Sequence, residues 1–372
     1  MVRGTAEQSH GERVGVTHAE ATNATSPTEQ DGSSWAGIVA FLAVVAWTAL
    51  GALIGLALTM WVIVPSMGAG NVERMAALGR HIDTGVRPDV VLLGTSVTVE
   101  GVDAATVADE LPGHQIVENW AINGCAINEA RLIMPKVLTA HPRYVVLNLL
   151  PNDLGEPSDI VLEKAYGYAV GGFASAWPAA DPTEAFPGLT EESARALRSG
   201  SIAQAIHFRS TPLDWLNREA RMVVRSGVRR APVADWDSPH ELTADIGGAQ
   251  LDRHFDAASE AIASRTATET GAGAAMIRAL ARTITESGAC AVVCFAPQHP
   301  GLRERVPGAM DAIRALGAEI EAMPGVVFFD ASELLSADEF ADAVHPNAAG
   351  RDAFSRAVGA RIAALELAGG GE

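Results

Sequence analysis

Between Gly32 and Val72 the chain carries no Asp, Glu, Lys or Arg, and this uncharged stretch constrains everything that follows it. Its centre, WAGIVAFLAVVAWTALGALIGLALTMWVIV from Trp35 to Val64, is 30 residues long. About 20 apolar residues cross the hydrocarbon of a bilayer, so this run is sufficient, with length left for tilt. Trp35 and Trp61 fall near its ends, where indole rings favour the headgroup region. A buried core helix would have to hide every face over about eight turns. A cleaved signal peptide has a shorter apolar run that begins nearer the N-terminus. The expectation is therefore an uncleaved transmembrane helix at 35–66. A tail at 1–34, rich in Ser, Thr, Glu and Gly, is expected to be disordered. Gly51 and Gly55 form one GxxxG pair, a weak packing signal because Gly is common in such helices. Arg3 and Arg13 on one side, against Arg74, Arg80 and Arg87 on the other, leave the orientation undecided.

What remains is a soluble domain over 70–372. The whole chain of 372 residues has a formal net charge of −18, which argues against nucleic acid as a partner, because phosphate neutralisation needs surplus Lys and Arg. Three cysteines, Cys125, Cys290 and Cys294, make no disulfide framework. Cys290 and Cys294 lie four residues apart in one strand-like run, roughly 13 Å and beyond disulfide reach.

Apolar runs alternate with amphipathic ones. DVVLLG (Asp89–Gly94), QIVEN (Gln115–Asn119), YVVLNLL (Tyr144–Leu150), ACAVVCFAP and VVFFDAS (Val326–Ser332) read as buried strands. Helices are expected at AATVADEL after the cap Asp103, and at INEARLIMPKVL, kinked or ended at Pro135. Others are expected at GAAMIRALARTITESG, at RVPGAMDAIRALGAEIEAM and near Arg351–Leu367. Strands separated by helices imply a parallel sheet covered on both faces, with functional groups at the carboxyl ends of the strands.

Those ends carry chemistry. The first strand runs into Gly94-Thr95-Ser96, the second into Asn119-Trp120-Ala121-Ile122-Asn123-Gly124, and the third into Leu150-Pro151-Asn152-Asp153. Beyond the fifth lies Asp342-Ala343-Val344-His345-Pro346-Asn347, where the carboxylate can hold the imidazole through Nδ1–H and leave Nε2 available. Serine is a poor nucleophile until a base takes its proton, and a carboxylate fixes the base's tautomer. Oxyanion donors are available from the N–H of Ser96, the N–H of Gly124 and the Asn152 side-chain amide.

In this order the four segments resemble the SGNH (GDSL-type) hydrolase superfamily. VVLLGTSVTVEGVD is similar to its serine block, NWAINGCAINEA to its glycine block, VVLNLLPND to its asparagine block and DAVHPNAAG to its Asp-x-x-His block. The resemblance covers about 89–155 and 289–365. It implies a three-layer α/β/α flavodoxin-like fold, Ser96 as nucleophile, Asp342 and His345 completing the triad, and Ser96, Gly124 and Asn152 in the oxyanion hole. It implies no cofactor and no metal. The sequence departs from the family pattern at Thr95, where Asp is common, and at Leu150, where Gly usually begins the Gly-x-Asn-Asp signature.

Each block alone has a plain alternative. Ser96 could be an ordinary helix cap, Asn152-Asp153 an ordinary turn, and Asp342-x-x-His345 half a metal site with no other ligands in view. His299, in APQHPG, reads as a structural histidine, and Cys125 as a small packed residue.

An insertion at about 156–270 exceeds a minimal domain of this kind. It holds Trp177, Trp215, Trp236 and a basic run in which Arg218, Arg221, Arg225 and Arg229 recur at helical spacing. That run suits a solvated face or an anionic lipid or polymer surface, and the insertion is expected to overhang the cleft.

The expectation is a single-pass membrane-anchored serine esterase or O-acyltransferase, its soluble domain extracytoplasmic. It would act on an acylated sugar, cell-envelope glycan or lipid, with a multi-spanning membrane O-acyltransferase as a further expected partner. The alternatives are a non-catalytic scaffold or glycan-binding accessory protein of the same fold, and a lipase-like enzyme facing membrane lipid.

Overall fold

The computed structural model describes residues 33–58, 71–155, 159–160, 162–173, 190–198, 245–264 and 271–369. The tail at 1–32, residues 59–70, the three insertion tryptophans and the basic run lie outside these residues. The first helix, α1, spans Ser33–Leu58, so the last two residues of the expected tail are helical. Its stretch Trp35–Leu58, 24 residues, is long and apolar enough to cross a membrane, a property that anchors share with signal sequences. At about 1.5 Å per residue it reaches about 36 Å, against roughly 30 Å of hydrocarbon. Trp35, Phe41 and Trp47 are exposed along it.

Beyond residue 70 the chain is α/β. In order come α2 (Asn71–Asp83), β1 (Val90–Leu93), α3 (Ser96–Gly101), α4 (Ala104–Asp109), β2 (Val117–Asn119), α5 (Ile127–Leu138), β3 (Tyr144–Leu149) and a 3-10 turn at Pro151–Leu154. The insertion contributes α6 (Leu162–Val170), α7 (Glu191–Arg198) and α8 (Gly248–Ser264). Then follow α9 (Ala272–Glu286), β4 (Cys290–Phe295), α10 (Pro300–Arg305), α11 (Pro307–Glu321), β5 (Val326–Asp330) and α12 (Ala348–Gly369). The five strands pair all parallel in the order β2-β1-β3-β4-β5.

Strand side chains alternate between two cores, as the period of two requires. Val91, Leu93, Val145, Leu147, Ala291 and Val293 join the core built with α2, α5, α6, α9 and α11. Val90, Leu92, Val146, Val292 and Cys294 face the other way, against Val97 and Val107 of α3 and α4 and Phe354 and Val358 of α12. Because both faces are covered, the central strands are apolar throughout, which is why they read as continuous runs.

Two points that the sequence leaves open are settled by packing. The helix through Pro135 does not end there but continues to Leu138. Proline has no N–H to donate to the preceding turn. Packing carries the helix past it: Met134 and Val137 are buried, and Lys136 Nζ donates to Asp83 Oδ2 at 2.9 Å and to Gly171 O at 3.0 Å. Arg74, counted from sequence among the charges flanking the span, is buried in the fold. Its Nε donates to Ala121 O at 2.7 Å and its Nη2 to Asn119 O at 3.0 Å.

The junction of β1 with α3 leaves no room for a side chain at Gly94. A Cβ there would lie 2.1 Å from Thr98 Oγ1 and 2.6 Å from the carbonyl oxygen of Asn148. Gly94→Ala is expected to cost about 1–3 kcal/mol of stability through this overpacking. Denaturant unfolding of the variant beside the wild type checks it, and an unchanged midpoint would contradict the close approach.

Candidate active site

The serine is carried by a helix of only six residues, α3, which cannot hold itself in place. Thr95 is its N-cap, with an extended backbone and a hydroxyl that accepts from Val97 N–H. Ser96, the first helical residue, is thus relieved of capping. Two buried asparagines hold the helix from neighbouring strands. Asn119, at the end of β2, donates to Thr98 O and Val102 O, both at 2.9 Å. Asn148, in β3, donates to Thr98 Oγ1 at 2.8 Å.

The Ser96 hydroxyl lies 3.0 Å from His345 Nε2, and His345 Nδ1 lies 2.9 Å from Asp342 Oδ2. An ionised carboxylate can only accept, so Nδ1 carries the proton and Nε2 is left as the acceptor for the serine O–H. The other Asp342 oxygen accepts from the N–H groups of Val344 and His345, both at 2.7 Å. Ala341 N–H donates to His345 O, and Phe340 pairs with Pro346, so the four-residue segment is closed as a turn. Pro346 in turn packs on Gly101 at the end of α3. Local geometry thus builds the acid–imidazole pair, and packing of α12 on the face of α3 and α4 delivers it to the serine. Ser355 of α12 supports this docking by accepting from Asp103 N–H at 2.9 Å.

Electrostatics follow from burial. Burial alone would raise the Asp342 carboxyl. Hydrogen bonds from the His345 ring and from the two N–H groups outweigh it and hold the pKa below the usual carboxylate range. Burial likewise pulls His345 down, but the hydrogen bond and charge of Asp342, helped by Glu100, raise it above the ordinary imidazole value.

Gly124 and Asn152 lie in the turns that follow the two strands flanking β1. Pairing of β2 with β1 runs past the strand ends, through Trp120 N–H to Leu92 O and Ile122 N–H to Gly94 O. Gly124 therefore follows within two residues of the serine's own junction. It occupies the third position of a turn closed by Cys125 N–H to Ile122 O, with φ +66, a conformation that favours glycine. Asn152 lies in the 3-10 turn after β3, half-buried, and its amide makes no hydrogen bond among the described residues. The neighbouring Asp153 turns inward, accepting from Leu150 N–H at 2.9 Å.

His299 and Cys125 are structural, as the sequence suggests. His299 caps α10, its Nδ1 accepting from Gly301 N–H, and its ring is packed between Phe255 and Phe340. Burial, then Arg303 and Arg305, push its pKa down. Cys125 is buried, and burial drives its thiol far up, so it stays protonated at neutral pH. Among the described residues, no cluster of three or more His, Cys, Asp or Glu side chains is arranged to hold a metal.

Sequence reasoning missed His254 of α8, whose Nδ1 stands 3.8 Å from Asp342 Oδ2, beyond hydrogen-bond range but within ionic reach. It also missed Lys164 of α6, which donates to the Gly124 carbonyl. Neither has a sequence signal, since each meets its partner only through the fold.

Compared with known protein families and with curated proteins, the chain matches none.

The raised His345 pKa depends on its acid. Histidine-ring NMR is expected to place the His345 titration above about 6.5 in the wild type. In Asp342→Asn it should fall, since burial is then opposed only by the charge of Glu100. An unmoved titration would show that the carboxylate does not govern the imidazole.

Proposed function

We propose that the chain is a membrane-anchored serine hydrolase of SGNH type, an esterase or O-acyltransferase acting on acylated carbohydrate or cell-envelope glycan. The observation that carries this reading is the contact of Ser96 Oγ with His345 Nε2 across 249 positions of sequence, backed by Asp342. Three groups in that order serve nucleophilic acyl chemistry. The strand order is that of flavodoxin-like doubly wound sheets, whose ligands bind where the order reverses, here between β1 and β3. Ser96 and Asn152 flank that position, and Gly124 follows the strand on the other side of β1.

In the proposed reaction Ser96 Oγ attacks the ester carbonyl carbon while its proton passes to His345 Nε2. The tetrahedral oxyanion is met by the N–H groups of Ser96 and Gly124 and the Asn152 amide. The C–O bond to the leaving alcohol then breaks, and that alcohol takes the proton from the imidazolium. Water or an acceptor hydroxyl repeats the sequence in reverse on the acyl-serine, which yields hydrolysis or transfer respectively. Residues 35–58 would hold this chemistry at the membrane, with the α/β body on the extracytoplasmic side, beside envelope glycans.

Fluorophosphonate labelling tests the reading directly. The wild type is expected to take label on Ser96, and Ser96→Ala to take none. Equal labelling of the two, or none of either, would leave a non-catalytic scaffold. Asp342→Asn should retain the fold and lose about 10³–10⁴-fold in ester turnover, because the imidazole loses its tautomer. The base works neutral, so the rate should rise with pH through a midpoint above about 6.5 and fall on the acid side.

A further inference from the structure

The insertion sends one cation into the glycine block. Lys164, on α6, donates to the carbonyl oxygen of Gly124. The same ammonium bonds both oxygens of Glu129, at 2.8 and 3.0 Å. Glu129, in the first turn of α5, is buried at 3% exposure and also accepts from Tyr168 O–H at 2.6 Å. Lys164 and Tyr168 are four residues apart, on one face of α6.

Energetics argue that this cluster is kept for geometry. Desolvating a buried ion pair costs about what the pair returns, and a well-packed apolar replacement is often neutral or stabilising. Lys164 meanwhile directs one donor to a backbone carbonyl in a turn whose first residue, Ile122, pairs with Gly94, two residues before Ser96. The Gly124–Cys125 peptide is thereby held at both ends, its N–H by Ile122 O and its C=O by Lys164. The ammonium also lies over the Gly124 α-carbon, 3.2 Å from where a Cβ would be.

We infer that Lys164 is a positioning residue that sets the place of the Gly124 N–H in the oxyanion hole. This rests on the hydrolase reading, in which Gly124 is a donor. Lys164 touches neither the nucleophile nor the base, so its loss should leave the His345 titration alone. What it should change is transition-state stabilisation, since displacement of a reacting or stabilising group by about 1 Å costs on the order of 100-fold.

The test uses the full chain in detergent, a fluorophosphonate probe and a short-chain nitrophenyl ester. Lys164→Met is expected to slow both labelling and kcat about 10–100-fold, with KM and the midpoint of the pH profile unchanged. Lys164→Arg should restore most of the rate, because a guanidinium can serve the carboxylate and the carbonyl together. Lys164→Met strands a buried carboxylate, so Lys164→Met with Glu129→Leu removes both charges and decides the matter if the single variant does not melt cooperatively. Wild-type labelling rates in either folded variant would overturn the assignment. Loss of folding in both would make Lys164 a folding residue instead and overturn it too. A wild type that takes no label, or no more than Ser96→Ala, would sink the hydrolase reading and this inference with it.

Discussion

Parallel pairing is the constraint from which the rest follows. When every strand runs the same way, every carboxyl end lies on one rim, and whatever residue follows a strand is delivered there. Here β1 sits between β2 and β3, so the serine's turn is flanked by the glycine turn and the asparagine turn without further engineering. Hydrogen bonds that continue beyond the formal strand ends, as far as Ile122 N–H to Gly94 O, extend the alignment into the loops. The ladder is thus both the scaffold and the ruler of the site.

A ruler of backbone alone would leave the loops free to swing, and buried polar side chains prevent that. Asn119 and Asn148 hold α3 from the two neighbouring strands, while Arg74 holds the carbonyls of Asn119 and Ala121 from the opposite layer. Each of these groups would cost free energy if left unpaired in the interior, so each has a narrow choice of geometry. The result is a short helix, carrying Ser96 at its start, whose position is decided by its neighbours.

The two described ends of the insertion meet opposite sides of the same site. Lys164 of α6 reaches the Gly124 carbonyl, and His254 of α8 approaches the Asp342 carboxylate. Ile246, just before α8, donates its N–H to Ala341 O, next to the acid. The segment between β3 and α9 is therefore tied both to the Gly124 turn and to the Asp342 turn.

Much of this was legible along the chain because it is local. A continuous apolar run marks α1, alternating runs mark the strands, and Asp342 and His345 lie close enough in sequence for a turn to join them. The apolar stripe of α5 was legible too, yet its continuation past Pro135 was not, because packing of Met134 and Val137 and the bonds of Lys136 decide it. Arg74 looked like a flanking charge for the same reason: one residue's neighbours in sequence say nothing of a carbonyl 47 positions away. Sequence by itself determined the five strands, their parallel pairing and the residue types at each strand end, since periodicity and turn chemistry act within a few residues. Only the tertiary structure decided that Ser96 meets His345, that Lys164 meets Gly124 and that His299 turns away to cap a helix. Those contacts depend on which layers pack against which, and that is settled by long-range burial that no short window contains.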